Sequence, residues 1–283
     1  MKLIRFGPIG EEKPGLIING EYFDVSEIVK DYDEAFFATN GLENLKNATK
    51  EIELKKIDPN VRLGPPVARP SKLLCVGLNY LDHAHETNAP IPKEPILFFK
   101  STTAIVGPDD DLMIPKNSVK TDWEIELAIV IGKKASYVNL AEAEDYIAGY
   151  CLHNDYSERE FQLERNGQWA KGKGCDTFAP LGPFMATKDE IADVHQLRLW
   201  LKVNGQIKQD GHTSNLIFNV PFLVHYISQF MTLLPGDIIS TGTPAGVGLG
   251  QKPAPWYLKP GDVVELGIDG LGTSKQKVKA YSA

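Results

Sequence analysis

Long apolar stretches are missing from this sequence of 283 residues. No run of roughly 18 apolar residues occurs, so no membrane-spanning helix is predicted. The opening residues MKLIRFGPIG lack the apolar segment of a secretory signal peptide. Cysteine is scarce, and Cys75, Cys151 and Cys175 form no C-x-x-C pair, which argues against a disulfide framework or a zinc site. These absences predict a cytoplasmic protein with free thiols.

A basic surface for nucleic acid is also absent. The 30 Lys and Arg residues are outnumbered by 37 Asp and Glu residues, and the net charge of −7 is spread along the chain. We therefore expect neither a nucleic-acid nor a membrane partner. An anionic small molecule stays open as a ligand, because the local field in a cleft can oppose the net charge.

A change in composition near residue 70 predicts two units. Residues 1–70 combine short strands, a hairpin turn at Asn19-Gly20, a helical stretch and a linker rich in Pro and Gly. Residues 71–283 contain recurrent short strands, such as PILFFK, ELAIVIG and DVVELGI, and three predicted helices, in NLAEAEDYIAGY, SEREFQLERNG and VPFLVHYISQFM. Because strands and helices do not alternate regularly, we predict a β-rich α+β fold with a small N-terminal domain.

The segment TDWEIELAIVIGKK (121–134) places two carboxylates in an otherwise apolar strand. Glu124 and Glu126 project from the same face, with Cα atoms about 6–7 Å apart. Like charges on one half-buried face repel each other, so either a cation between them or a wet sheet edge is expected. The spacing suits a hard divalent cation. From the spacing alone, two solvated glutamates at an exposed strand start are the simpler interpretation, and a third ligand is needed to reverse it.

Asp155, in GYCLHNDYSEREFQ, offers that third ligand. It follows an apolar run and could complete an oxygen-rich site. It could also serve only as a helix N-cap, with Glu158 as its partner in a capping box. His153 is a competing ligand. Three carboxylates without histidine favour Mg²⁺, Mn²⁺ or Ca²⁺ over zinc.

Acid–base chemistry is indicated by GLNYLDHAHE, where His83 and Glu86 are neighbours on a helical turn. A carboxylate beside an imidazole orients it and raises its basicity, as activation of water requires; a polar surface turn is the alternative. His85 faces elsewhere on the same turn. In QWAKGKGCDTFAP, Lys171 and Lys173 lie among glycines, where a lysine can neutralise a developing enolate or carboxylate.

The segment TGTPAGVGLG, from Thr241, lacks the GK[ST] sequence of a phosphate-binding P-loop. The hydroxyl groups of Thr241 and Thr243, together with the backbone N–H groups of this segment, instead predict a cradle for a carboxylate.

Seven blocks in the same order resemble the fumarylacetoacetate hydrolase family and cover roughly residues 71 to 283. They are NYLDHAHE, PILFFKSTTAIVGP, DWEIELAIVIGK, GYCLHNDYSEREFQ, KGKGCDTFAPLGP, QDGHTSNLIFNVPFLVHYIS and LLPGDIISTGTPAGVG. The resemblance implies a mixed β-sandwich roll, a homodimer, and Mg²⁺, or alternatively Mn²⁺ or Ca²⁺, held by Glu124, Glu126 and Asp155.

The same resemblance implies roles for further residues. The expected catalytic residues are His83, Glu86 and Lys173. The expected substrate-binding residues are Tyr80, Lys100, Arg159, Gln162 and Thr243. Within the family, GPIGEEKPG and SEREFQLERNGQWAKGKGCDTF resemble hydrolases of 2,4-diketo-3-deoxy-L-rhamnonate or L-fuconate.

The implied reaction is metal-dependent hydrolysis of a C–C bond in a 2,4-diketo acid, which gives pyruvate and a hydroxy acid. Two alternatives stay open at this point. A β-keto acid such as oxaloacetate could be decarboxylated at the same metal, or the chain could be a non-catalytic, metal-dependent binding relative.

Overall fold

Strands dominate the fold of residues 1–282, which the computed structural model describes. The strands are β1 (Lys2–Phe6), β2 (Lys13–Ile18), β3 (Glu21–Asp24), β4 (Lys55–Ile57), β5 (Leu63–Gly64), β6 (Leu73–Gly77), β7 (Ile96–Lys100), β8 (Ile105–Val106), β9 (Leu112–Met113), β10 (Thr121–Asp122), β11 (Ile125–Ile131), β12 (Ile147–Asn154), β13 (Ser157–Glu158), β14 (Ala179–Pro180), β15 (Met185–Thr187), β16 (Arg198–Val203), β17 (Gln206–His212), β18 (Ile238–Ser240), β19 (Val263–Ile268) and β20 (Gly272–Lys279). The α-helices are α1 (Glu34–Ala38), α2 (Gly41–Ala48), α3 (Leu81–Glu86), α4 (Ala170–Lys173) and α5 (Val220–Ser228). The predicted β-rich α+β class is confirmed.

Two sheets form the body of the molecule. The larger has eleven strands in the order β4-β3-β2-β1-β15-β12-β11-β18-β6-β7, with β5 beside β1, and the smaller has five strands in the order β17-β16-β19-β20-β9. Strand β11 lies between β12 and β18 and packs against β16 of the smaller sheet. All seven residues of β11 are buried, which explains its almost continuous apolar sequence.

One of the three predicted helices is confirmed, and two are wrong over much of their length. Helix α5 lies within VPFLVHYISQFM, where Asn219 caps its first turn by accepting from the Phe222 N–H. In NLAEAEDYIAGY, only Leu140–Tyr146 is helical, as 3₁₀ turns, and Ile147 begins strand β12. In SEREFQLERNG, a π-helical turn at Glu160–Glu164 follows β13. The last four residues of the first segment, 147–150, begin β12 because they pair with β11 and β15, which are distant in the chain.

The N-terminal strands extend the larger sheet. Strand β1 pairs with β15 through Lys2↔Ala186 and Leu3↔Met185, so residues 1–70 are hydrogen-bonded to the rest of the chain. The division into domains at residue 70 stays a prediction.

Among the described residues, no helix has the length and apolar character needed to cross a bilayer.

Candidate active site

Three buried carboxylates meet at the end of β11. Glu124 immediately precedes this strand, Glu126 lies within it, and Asp155 follows the last residue of the neighbouring strand β12. The pairing of Glu126 with His153 brings the two strand ends level, and the Asp155 N–H donates to the Glu124 carbonyl at 2.8 Å. Oxygen atoms of the three side chains lie within 4.8 Å of one another. The structure therefore brings together the three residues expected to bind metal.

Two lysines neutralise part of this cluster. Lys173 donates to Glu124 Oε2 at 2.6 Å and to Asp155 Oδ2 at 2.7 Å. Lys100 donates to the other Asp155 oxygen at 2.5 Å and to the Tyr156 carbonyl at 2.9 Å. The two lysines occupy the Asp155 carboxylate from both sides, so Asp155 does not act as the N-cap of a helix.

Arg159 holds the remaining oxygen of Glu124. Its Nη2 donates to Glu124 Oε1 at 2.7 Å, and its Nε donates to Asp122 Oδ2 at 2.8 Å. Its Nη1 donates to Gln162 Oε1 at 3.1 Å. Both oxygens of Glu124 thus contact a cation, which explains how this one of the two neighbouring glutamates tolerates burial.

The ionisation of the three carboxylates differs because their partners differ. Burial alone would raise the pKa of Asp155, but the ammonium groups of Lys100 and Lys173 outweigh it and hold that pKa below its usual value. Burial opposes ionisation of Glu124 too, yet Lys173 and Arg159 bring its pKa below the ordinary value. Burial and then the charges of Asp155 and Glu124 raise the pKa of Glu126 well above its usual value. Glu126 is therefore the carboxylate that lacks a cationic partner within the described chain.

Glu126 is held instead by neutral donors. Ser240 Oγ donates to Glu126 Oε2 at 2.5 Å, and the Gly242 N–H donates to the same oxygen at 3.0 Å. His153 Nδ1 lies 2.7 Å from Ser240 Oγ, and burial lowers the pKa of His153 to about 3. Because Ser240 gives its single proton to the carboxylate, the neutral His153 must donate from Nδ1 to the serine oxygen. His153 consequently orients Ser240 and, through it, Glu126.

The loop of residues 242–249 supplies backbone donors to three carboxylates. Its N–H groups reach Glu126 from Gly242 and Glu86 from Gly246, both at 3.0 Å. Those of Gly248 and Leu249 reach Asp122 at 2.6 and 2.9 Å. The predicted carboxylate cradle thus holds the protein's own side chains.

Glycine is required at two positions of this loop. Gly242 and Gly246 have φ of +97° and +108°, a region that side chains other than glycine rarely adopt. A Cβ on Gly246 would lie 1.9 Å from the Lys208 carbonyl oxygen.

His83 and Glu86 meet on helix α3, as their spacing predicts. His83 Nδ1 lies 3.2 Å from Glu86 Oε2, while the other Glu86 oxygen accepts from the Gly246 N–H. With Nδ1 paired in this way, Nε2 of His83 is the nitrogen left for a substrate or a water molecule.

A cavity of about 370 Å³ joins these groups. It is lined by seven of the eleven residues expected at the site, namely His83, Glu124, Glu126, Arg159, Gln162, Lys173 and Thr243. Asp155 and Glu86 lie behind this lining and contact it through Lys173 and His83, and Lys100 lies one step further away, in contact with Asp155. Tyr80 is fully buried in front of α3, does not line the cavity, and has no hydrogen-bond partner for its hydroxyl among residues 1–282.

Thr243 faces the cavity with a hydroxyl that already has two partners. Its Oγ1 donates to the Ile125 carbonyl at 2.8 Å and accepts from Gln209 Nε2 at 2.7 Å. Its contact with a ligand is therefore limited to one remaining lone pair and the methyl group.

The chemistry of the cluster fits a divalent cation. Four buried carboxylates against three buried cations leave one formal negative charge; the groups are Asp122, Glu124, Glu126 and Asp155 against Lys100, Arg159 and Lys173. A divalent cation would change that charge to +1, and one ligand carboxylate would neutralise it. The all-oxygen donor set is the type that Mg²⁺, Mn²⁺ and Ca²⁺ prefer.

Sequence reasoning missed two contributors to this site, Asp122 and Ser240, and it did not predict that the amides of the 242–249 loop bind carboxylates of the protein itself. Asp122 stands two residues before Glu124, and this proximity was the one signal that could have identified it. Ser240 carries no local signal, because it contacts Glu126 only through the pairing of β11 with β18.

Comparisons with known proteins assign the family. Residues 72–279 match the model of the fumarylacetoacetate (FAA) hydrolase C-terminal family. A chain from Burkholderia ambifaria, whose name proposes a hydrolase without a substrate, is 51% identical over 280 residues, which are 99% of each chain.

Solved structures agree with this match. The fumarylacetoacetate hydrolase of the psychrophile Exiguobacterium antarcticum is 33% identical, covers 99% of this chain and 100% of its own, and superposes with a TM-score of 0.84. The maleylpyruvate hydrolase of Sphingobium sp. SYK-6, in complex with manganese(II) ion and pyruvate, is 29% identical over 100% of both chains, with a TM-score of 0.82. The chain thus belongs to the fumarylacetoacetate hydrolase family, whose solved members include hydrolases and isomerases.

Proposed function

We propose that this protein is a metal-dependent hydrolase that cleaves the C3–C4 bond of a 2,4-diketo acid of the acylpyruvate type. The products are pyruvate and the carboxylic acid derived from the acyl group. The observation that carries this proposal is that an acid–base pair and a carboxylate triad lie at one cavity. The bound manganese and pyruvate of the Sphingobium enzyme support it.

Glu124, Glu126 and Asp155 would hold the metal, for which we propose Mg²⁺ or Mn²⁺. When bound, the cation supplies Lewis-acid polarisation of the 2-oxo acid end of the substrate. With the cation bound, the cluster would carry the charge of +1 derived above, which suits the carboxylate of the substrate. Lys100 positions Asp155 by holding one of its oxygens.

His83 and Glu86 supply the base. Glu86 fixes His83 Nδ1, so that Nε2 accepts a proton from water and the resulting hydroxide adds to the C4 carbonyl. The C3–C4 bond then breaks, and its electron pair passes to C3, where the 2-oxo group delocalises it as an enolate. The proton that His83 took from water passes to C3 and completes pyruvate, while the acyl group leaves as the carboxylic acid.

Lys173 lies where negative charge develops. Two of its three N–H donors contact Glu124 and Asp155, and the third is available to an oxygen of the substrate. Arg159 and Gln162 line the same wall of the cavity and are proposed to orient the substrate.

The first test is the loss of ultraviolet absorbance from acetylpyruvate with Mg²⁺, with Mn²⁺ and after chelation, together with identification of the products. We expect cation-dependent release of pyruvate and acetate. A non-catalytic binding relative would bind metal and leave the substrate unchanged.

Decarboxylation of a β-keto acid such as oxaloacetate is the second candidate, since it uses the same electron sink. It needs no water nucleophile, so the two reactions respond differently to loss of the base. His83→Ala should lower hydrolysis by about 10²–10⁴-fold and lower any decarboxylation much less. Equal losses, measured at saturating Mg²⁺, would contradict the assigned role of His83.

We propose 2,4-diketo-3-deoxy-L-rhamnonate, which is the same compound as 2,4-diketo-3-deoxy-L-fuconate, as the substrate to compare with simple acylpyruvates, because of the sequence resemblance noted above. It would release pyruvate and a hydroxy acid. We also propose a homodimer, which light scattering coupled to gel filtration would test.

A further inference from the structure

One part of the cavity lining is apolar and contains neither the carboxylate triad nor the acid–base pair. It is formed by the side chains of Ile96, Phe98, Leu163, Trp169 and Leu249. Trp169 packs edge-on against Phe98, with ring centroids 5.3 Å apart. This apolar wall comes from β7, the π-helical turn and the residues flanking α4 and the 242–249 loop, none of which carries the metal ligands.

The cations that line the cavity are already paired. Lys173 contacts Glu124 and Asp155, and Arg159 is held between Asp122 and Glu124. Among the lining residues of the described chain, no further Lys or Arg is present. One ligand carboxylate is matched by the charge that a bound divalent cation adds. A second carboxylate, at the other end of the substrate, would face hydrocarbon without a counter-charge.

We infer that the acyl group of the substrate ends in apolar carbon and carries no second carboxylate. This inference rests on the proposed function and narrows it to one class of 2,4-diketo acid. Burying an unpaired charge or an unpaired hydroxyl costs desolvation free energy, and the apolar wall offers no hydrogen bond or ion pair to compensate for it. The 2,4-diketo-3-deoxy acid of a 6-deoxy sugar satisfies the inference, because its one hydroxyl lies next to the C4 carbonyl and its chain ends in methyl, whereas a dicarboxylate or a longer polyol does not.

The size of the cavity agrees with a short acyl group. Its volume of about 370 Å³ is near the small end of the range for ligand pockets, which is about 300–1,000 Å³. Leu163 and Ile96 are 46% and 40% exposed and form the rim of the apolar wall, whereas Phe98 and Trp169 are less exposed and lie nearer the substrate.

The experiment compares two substrates that differ only at their end. Butyrylpyruvate ends in methyl, and succinylpyruvate has the same carbon number and ends in a carboxylate. We expect kcat/KM at saturating Mn²⁺ to be about 100-fold or more higher for butyrylpyruvate. Burying an unpaired carboxylate costs desolvation free energy that burying a methyl group does not. Comparable values for the two substrates would overturn the inference while leaving the proposed hydrolysis intact.

A variant tests whether the wall is responsible. Leu163→Arg adds a cation at the rim of the apolar wall and should reduce the preference at least about tenfold by pairing with the succinyl carboxylate. Leu140→Arg is the matched control, since Leu140 is 49% exposed and does not line the cavity. A change of equal size in both variants would show that the preference arises from overall charge, and the assignment to this wall would fall.

A binding measurement separates the inference from the proposed reaction. Calorimetry with the Mn²⁺-loaded protein compares 2-oxohexanoate with 2-oxoadipate, which are again matched in length. Tighter binding of 2-oxohexanoate, without cleavage of any acylpyruvate, would sustain the inference and refute the proposed function. Equal or tighter binding of 2-oxoadipate would refute the inference whatever the turnover.

Discussion

Ser240 provides the sharpest test of how the metal site is built. Its hydroxyl is the donor that links Glu126 to the buried ring of His153. Ser240→Ala removes this link and leaves Glu126 Oε2 with one donor, the Gly242 N–H. The carboxylate then has freedom to rotate away from the position in which it faces Glu124 and Asp155.

The expected loss follows from the behaviour of residues that orient metal ligands. Removing such a partner typically weakens metal affinity by about 10–100-fold, which corresponds to about 1.4–2.7 kcal/mol at 25 °C. Because Gly242 retains its bond, we expect a value near the middle of this range. The readout is the Mn²⁺ dissociation constant by calorimetry, together with the unfolding temperature of the metal-free protein.

Ser228→Ala is the control, because Ser228 is equally buried but lies on α5, where its hydroxyl donates to the His225 carbonyl. It should leave the Mn²⁺ dissociation constant unchanged. An affinity of Ser240→Ala within twofold of the unaltered protein would refute the argument that Ser240 orients Glu126.

Two substitutions and one measurement on the unaltered protein test other parts of the site. Lys173→Met removes a buried cation and should lower the free energy of unfolding of the metal-free protein by about 3–5 kcal/mol, which chemical denaturation would measure. The same change should strengthen Mn²⁺ binding, measured by calorimetry, because the site becomes more negative. Weaker Mn²⁺ binding would contradict the net charge assigned to the cluster. Glu126→Gln should abolish activity without unfolding the chain, because the amide oxygen can still accept from Ser240 and Gly242; a large fall in unfolding temperature would show that the charge is structural. We expect the segment 82–95, which contains three prolines and most of α3, to act as a lid. Its amide hydrogens should then exchange faster than those of β11 in the absence of ligand. Equal protection of the two segments from exchange would argue against a lid.

The sequence predicted the local parts of the site better than its long-range parts. His83 and Glu86 are close on a helical turn, and Glu124 and Glu126 share a strand face, so regular geometry alone brings each pair together. The helix predicted over NLAEAEDYIAGY was wrong because Ile147 continues into a strand whose partners, β11 and β15, are distant in the chain. Tertiary pairing of this kind outweighs local propensity.

The partners of the carboxylates could not be predicted for the same reason. Ser240 lies 114 residues from Glu126, and Lys173 lies 49 residues from Glu124. The expected cation between the two glutamates is partly supplied by the protein itself, since Lys173 and Arg159 hold Glu124. The glycines around Lys173 indicated a lysine that neutralises a carboxylate, but no local pattern identified Glu124 as its partner or distinguished Arg159 from a solvated basic side chain.

The loop of residues 242–249 has a consequence for how this protein could diversify. Its amides hold Glu126, Glu86 and Asp122, so an insertion or deletion there would disturb all three carboxylates at once. The apolar wall is carried mainly by other segments and can change one side chain at a time. Selection for a different acyl group can therefore change residues such as Leu163, while the loop of residues 242–249 and the three carboxylates that it holds stay unchanged.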